Sequence, residues 1–135
     1  MRRAGLPGAL ALLLCQGLAG AGPAGEGGAL LRGQTLYARC AGCHAIEQNR
    51  TGPLHCGLFG RHAGTAPGYA AYSTALRRSR IVWSERELDA FLRSPLDQVP
   101  GTAMGYAGVK DDAERADLIA WLKEATRPGA CRPKP

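Results

Sequence analysis

The sequence predicts an all-α fold, three to five helices joined by long loops, and three observations predict it. Apolar residues recur at helical spacing in separate stretches, and Ser or Asp caps stand at several of their starts. No run alternates at period two in the manner of a strand, and no internal repeat is present. Much of the glycine and proline falls between the periodic stretches. At 135 residues the chain is one small domain, and with 45% hydrophobic but 6% aromatic residues, 19 Gly and 9 Pro, its core is thin and its turns many. A chain of this kind needs a disulfide, a metal or a bound group to hold it together.

Residues 1–21 read as a secretory signal peptide. Arg2 and Arg3 precede the apolar run Ala9–Leu14, and Ala19-Gly20-Ala21 forms a cleavage site of small residues. The run is too short and too broken by glycine for a membrane span. Cys15 raises a lipidation reading, but Leu14 before it is larger than a lipidation site ordinarily takes. Residues 22–28 form a flexible lead-in, 29–127 the domain and 128–135 a tail. Within the domain, residues 29–40 place Leu30, Gly33, Leu36 and Tyr37 on one helix face. From Ala45 to Gly68 the chain is loop, wrapped around something. Ser73 caps a short helix through Ser79. Ser84 and Glu87 make a capping box before Leu88, Phe91 and Leu92, and Ser94-Pro95 ends that helix, with Pro95 able to open another turn. Residues 100–105 are loop. Asp111 and Glu114 start a last helix through Thr126, with Leu118, Ile119, Trp121 and Leu122 on its apolar face, and Pro128-Gly129 ends it.

One motif carries chemistry. Cys40-Ala41-Gly42-Cys43-His44 is a C-x-x-C-H sequence, the attachment signature of a c-type haem. Two thiols spaced by one turn match the two vinyl groups of the macrocycle, and the histidine that follows comes under the iron as an axial ligand. A zinc site would need a second pair of ligands at matching spacing, and a thioredoxin-type pair a strand before it; neither is seen. Five cysteines fit an oxidising compartment outside the cytosol. For the second axial position the chain offers Met104, in a Pro/Gly loop, with His55 and His62 as rivals. Met1 is the other methionine, and it leaves with the leader.

The sequence resembles the soluble class I cytochromes c, mitochondrial and bacterial, over roughly Gly28 to Thr126. Gly33, Tyr37 and CAGCH resemble the first helix of that family. Thr51-Gly52-Pro53 and Gly57-Leu58-Phe59-Gly60-Arg61 resemble its haem-side loop. Tyr72-Ser73, Trp83, Pro100-Gly101-Thr102-Ala103-Met104 and the run from Glu114 to Lys123 follow in family order. The resemblance implies the class I fold around one haem c bound through two thioethers to Cys40 and Cys43. It implies iron ligated by His44 and Met104, and a Pro53 carbonyl accepting the His44 ring N–H. It further implies that Arg61, Tyr72, Ser73, Trp83 and Thr102 hydrogen-bond the haem propionates, whose charge needs donors when buried. It also implies that Gly33 lets the first and last helices cross closely, with Tyr37 near Leu118 and Trp121.

Departures from the family pattern are visible. His55 stands where a leucine is usual, Phe91 where mitochondrial members carry a tyrosine near the methionine, and Leu76 where a polar residue is common. Lysines are few around the expected haem edge, with arginines at 77, 78 and 80 as partial substitutes. Cys56 and Cys131 are left over in the exported chain, and an even remainder suggests a disulfide across a separation of 75 residues.

The functional expectation is a monomeric, periplasmic one-electron carrier, or a membrane-tethered one if the leader stays. Its partners are redox proteins: a membrane cytochrome complex, an oxidase, a reaction centre or a dehydrogenase. A dedicated dehydrogenase subunit, or a haem peroxidase or ligand sensor with an open sixth position, are the alternatives. No arrangement of nucleophile and base or of paired carboxylates suggests substrate chemistry. The formal charge of +6, two of it on the leader arginines, suits an acidic protein partner; the basic residues are scattered and do not suggest nucleic acid.

Overall fold

The computed structural model describes Met1 and residues 24–133; the expected leader, Cys15 and the last two residues of the tail lie outside the described residues. Five helices follow one another: α1 (Ala24–Tyr37), α2 (Thr74–Arg78), α3 (Glu85–Arg93), α4 (Pro95–Gln98) and α5 (Asp112–Thr126). Among the described residues there is no extended sheet, only isolated bridges at His62–Val82 and Pro128–Cys131.

The starts of the helices follow from their side chains. Ser73 Oγ accepts Leu76 N–H at 3.1 Å and opens α2, and Ser84 Oγ accepts Glu87 N–H at 3.2 Å and opens α3. Asp111 Oδ1 accepts Glu114 N–H at 2.8 Å and opens α5. Each satisfies one of the amide donors that a helix start leaves without an intrahelical partner. α4 begins with Pro95, whose missing N–H costs nothing in the first turn.

The first helix differs from expectation at both ends. It begins at Ala24, so most of the expected lead-in is helical, despite three glycines. Glu26 in the first turn complements the positive end of the helix dipole, and propagation from a docked segment is cheaper than starting anew. At the other end α1 stops at Tyr37, and tighter turns carry the chain through the cysteines: Cys40 N–H bonds Tyr37 O at 2.8 Å, and His44 N–H bonds Cys40 O at 2.9 Å.

α1 crosses α5 where Gly33 meets the backbone of Asp117 and the side chain of Trp121. A Cβ at residue 33 would lie 2.6 Å from Trp121 Cβ. One turn further on, Tyr37 packs on Trp121 with ring centroids 4.7 Å apart. Arg32–Asp117 (2.6 Å) and Arg39–Glu114 (2.7 Å) flank the crossing at the surface, where they orient the helices more than they stabilise them. α3 packs on the other side of α5. The main core joins Leu36, Leu58, Trp83, Leu88, Phe91, Val109, Leu118 and Leu122. A smaller cluster of Leu54, Cys56, Ala66 and Cys131 lies under the long loop.

That loop is more ordered than its lack of periodicity suggests. Residues 60–63 run antiparallel to 81–83: Ala63 N–H bonds Ile81 O at 2.8 Å, Trp83 N–H bonds Arg61 O at 3.0 Å and Gly60 N–H bonds Trp83 O at 2.8 Å. The pairing sets Arg61 beside Trp83.

Candidate haem-binding site

The C-x-x-C-H segment is held from outside by the loop that follows it. Gly52 N–H bonds Cys43 O at 2.7 Å, and Arg50 Nη1 bonds Ala41 O at 2.6 Å. This brings Pro53 to the histidine, so that His44 Nδ1–H donates to Pro53 O at 2.8 Å. The bond fixes the tautomer and leaves Nε2 with its lone pair free to bind a metal. Burial holds the imidazole below its usual pKa, against the opposing pull of the Pro53 carbonyl. Gly52 lies flat against the ring: a Cβ there would be 2.7 Å from both ring nitrogens. Cys40 is half-buried and Cys43 exposed, and among the described residues neither thiol is paired. Burial raises the Cys40 thiol above its usual range, with Arg39 opposing.

The rival ligands are placed elsewhere. His62 is exposed in its bridge to Val82. His55 stacks on the His44 ring itself, centroids 4.5 Å apart and planes 22° from parallel, and its Nδ1 pairs with the Tyr37 hydroxyl at 3.1 Å. A ring stacked on His44 cannot also reach the opposite side of a group that His44 would bind. Burial, then the neighbouring His44 and Arg61, push its pKa down to about 3, so it is a neutral ring. Met104 packs half-buried against the main core, its N–H bonded to Thr102 Oγ1 at 3.3 Å.

Of the expected propionate donors, the paired segments bring Arg61 and Trp83 together, and Tyr72 lies near enough to Arg61 to influence it. Arg61 is half-buried; Nη1 and Nη2 bond the carbonyls of Cys56 (2.8 Å) and Leu54 (3.0 Å), and among the described residues no carboxylate pairs with it. Burial lowers its pKa, with Tyr72 as the opposing influence. Tyr72 OH accepts Ala66 N–H at 3.1 Å and the Ser73 hydroxyl accepts Leu76 N–H, so both keep a proton to donate. Thr102 and Trp83 are buried, each 8% exposed.

These observations fit a haem with its two carboxylates. A half-buried guanidinium with only carbonyl partners needs an anion, two unpaired thiols sit one turn apart, and a neutral imidazole has one nitrogen left over. Among the described residues, no group of three or more His, Cys, Asp or Glu is arranged to hold a bare metal ion.

Comparison with known proteins agrees. The family model for cytochrome c matches residues 30–126. Cytochrome c2 of Blastochloris viridis is 42% identical over 101 residues, covering 73% of this chain and 79% of that one. Cytochrome c of Chlamydomonas reinhardtii is 44% identical over 108 residues, covering 77% and 93%. The solved structure of cytochrome cH from Methylobacterium extorquens superposes with a TM-score of 0.67 at 39% identity, covering 70% of this chain and 96% of that one. The chain therefore belongs to the cytochrome c family, as a class I c-type cytochrome. It is a single-haem electron carrier, with one haem c and its iron covalently attached.

Cys56 and Cys131 lie within bonding distance, with Cα atoms 5.8 Å apart and both side chains buried. Two features of the site were not legible in sequence. The Tyr37–His55 contact joins residues 18 apart with no shared motif. Arg115, inside the family-like run of α5, has a side chain only 1% exposed, where a helical arginine ordinarily faces water.

Proposed function

We propose that the mature chain is an exported, periplasmic carrier that passes one electron at a time between redox proteins, with Cys40 and Cys43 as the thioether positions and His44 and Met104 as the axial ligands. The observation that carries this reading is the His44–Pro53 bond at 2.8 Å, which orients a neutral imidazole with Nε2 unspent. When bound, the haem supplies an iron that cycles between ferric and ferrous states. The protein's part is to keep the same two ligands in both states and to exclude water, so that little reorganises when the charge changes. Gly52 gives the imidazole room, and the Pro53 carbonyl holds its plane. Met104 would supply the second ligand to the iron, so that no position would stay open for a substrate. Arg61, Tyr72, Ser73, Trp83 and Thr102 receive the propionates, the guanidinium supplying the charge. The Cys56–Cys131 disulfide ties the loop after Pro53 to the chain beyond α5.

Partners are a membrane cytochrome complex, an oxidase, a reaction centre or a dehydrogenase, met by a monomer. Export rests on the 1–21 leader together with the cysteine pairing. The test is to fractionate the native cell and mix the purified ferrous protein with its membranes in a stopped-flow instrument. Recovery in the periplasm and rapid one-electron oxidation support the reading. Turnover of a small-molecule oxidant by a resting high-spin form would contradict it.

A further inference from the structure

The loop that carries Met104 has two limbs, held in different ways. The leading limb is a local turn, with Thr102 N–H bonded to Val99 O at 2.9 Å and Met104 N–H to Thr102 Oγ1. The trailing limb, 105–111, lacks helical or strand structure and is tied from outside. Val109 N–H bonds Leu92 O at 2.8 Å and Lys110 Nζ bonds Arg93 O at 2.7 Å, both at the end of α3. From the α5 side, Arg115 Nη1 donates to Val109 O at 2.8 Å and to Lys110 O at 3.3 Å.

The same guanidinium is spanned by two carboxylates. Its Nε bonds Asp89 Oδ1 on α3 at 2.6 Å and its Nη2 bonds Asp112 Oδ1 at 2.6 Å. A buried cation is tolerated only when neutralised and hydrogen-bonded. Asp112 is 81% exposed and Asp89 40%, so Asp89 is the better shielded partner. Asp89, whose other carboxylate oxygen accepts from Arg93 Nη2 at 3.2 Å, thus helps to aim the fork of Arg115 at the loop carbonyls. Among the described residues, none of these groups is hydrogen-bonded to Met104, whose N–H goes to Thr102.

We propose that Asp89 and Arg115 are positioning residues for Met104: by anchoring Val109 and Lys110 between α3 and α5, they hold the thioether at the iron and resist its displacement by outside ligands. This rests on the reading of Met104 as the sixth ligand.

The test uses ferric holoprotein and imidazole as the competing ligand. Asp89→Asn keeps the shape and removes the charge. Asp117→Asn is its control, since it makes the same change to a carboxylate–arginine pair joining α5 to α1, away from the loop. The wild type shows the weak long-wavelength absorption of an iron–thioether bond. Asp89→Asn binds imidazole about tenfold more tightly and loses that band at a lower pH, while Asp117→Asn leaves both unchanged. Arg115→Lys, which keeps the charge but cannot reach two carbonyls and two carboxylates together, tightens imidazole binding at least as much. If Asp89→Asn leaves imidazole affinity alone, or if both Asp→Asn variants shift it in proportion to lost thermal stability, the residues are merely structural and the proposal falls. A wild type without the band overturns the ligand reading itself, which is a separate failure.

Discussion

Replacing Gly33 by alanine sets two effects of opposite sign against each other. Helix propensity favours the change by about 1 kcal/mol, because glycine is the poorer former within a helix. Packing opposes it. The new Cβ would stand 2.6 Å from Trp121 Cβ and 2.8 Å from the Asp117 carbonyl carbon, distances that real Cβ atoms do not show. The obstacle is α5 backbone and the root of a side chain, neither of which can swing aside, so α1 itself must lift away. Overpacking of this kind costs about 1–3 kcal/mol, and a rigid obstacle puts it at the upper end. The net loss is then about 2 kcal/mol, or a fall in Tm of about 10 °C for a domain of this size. Gly27→Ala is the internal comparison in the same helix, since among the described residues nothing lies within 4 Å of a Cβ placed there. Thermal and denaturant unfolding of both ferric holoproteins decides the matter. Gly27→Ala should gain slightly. A Gly33→Ala protein as stable as wild type would refute the argument that the helix crossing requires glycine.

Gly52→Ala should displace the His44 imidazole and change the ferric electron paramagnetic resonance spectrum; an unchanged spectrum would show that the ring has room. Among the described residues Thr126 Oγ1 is buried without a hydrogen-bond partner, so Thr126→Val should be neutral or stabilise by about 1 kcal/mol, read from the urea midpoint, and a clear loss would reveal a partner. Opening the Cys56–Cys131 closure, 75 residues apart, by double serine replacement should cost about 4 kcal/mol on the chain-entropy account; no loss of stability would argue for two free thiols. His55 is neutral in the fold, its pKa at about 3 against 6.5 when unfolded, so its contribution is complete above 6.5 and is lost as pH falls toward 3. His55→Leu should flatten the decline of Tm over that window, and an equal decline in both proteins would count against it.

What could be read from sequence was whatever local chemistry dictates. The caps at Ser73, Ser84 and Asp111 and the stop at Ser94-Pro95 depend on neighbours within a few residues, and each stands where the residues put it. The family resemblance added the Pro53 contact and the close approach at Gly33, which no periodicity reveals. The start of α1 at Ala24 was hidden because glycine-rich sequence reads as linker until a docked helix extends into it. The pairing of 60–63 with 81–83 was hidden because three or four residues are too few to show alternation. Arg115 was hidden for a different reason: its partners Asp89 and Val109 come from other elements, and an arginine in an amphipathic helix gives no sign that it faces inward.

The central claim, a carrier whose iron is closed by His44 on one side and Met104 on the other, is tested most directly by near-infrared magnetic circular dichroism of the ferric holoprotein. Ligation by His44 and Met104 predicts a low-spin spectrum of an imidazole–thioether pair. A bis-imidazole spectrum, or a high-spin one with an open position, would contradict it.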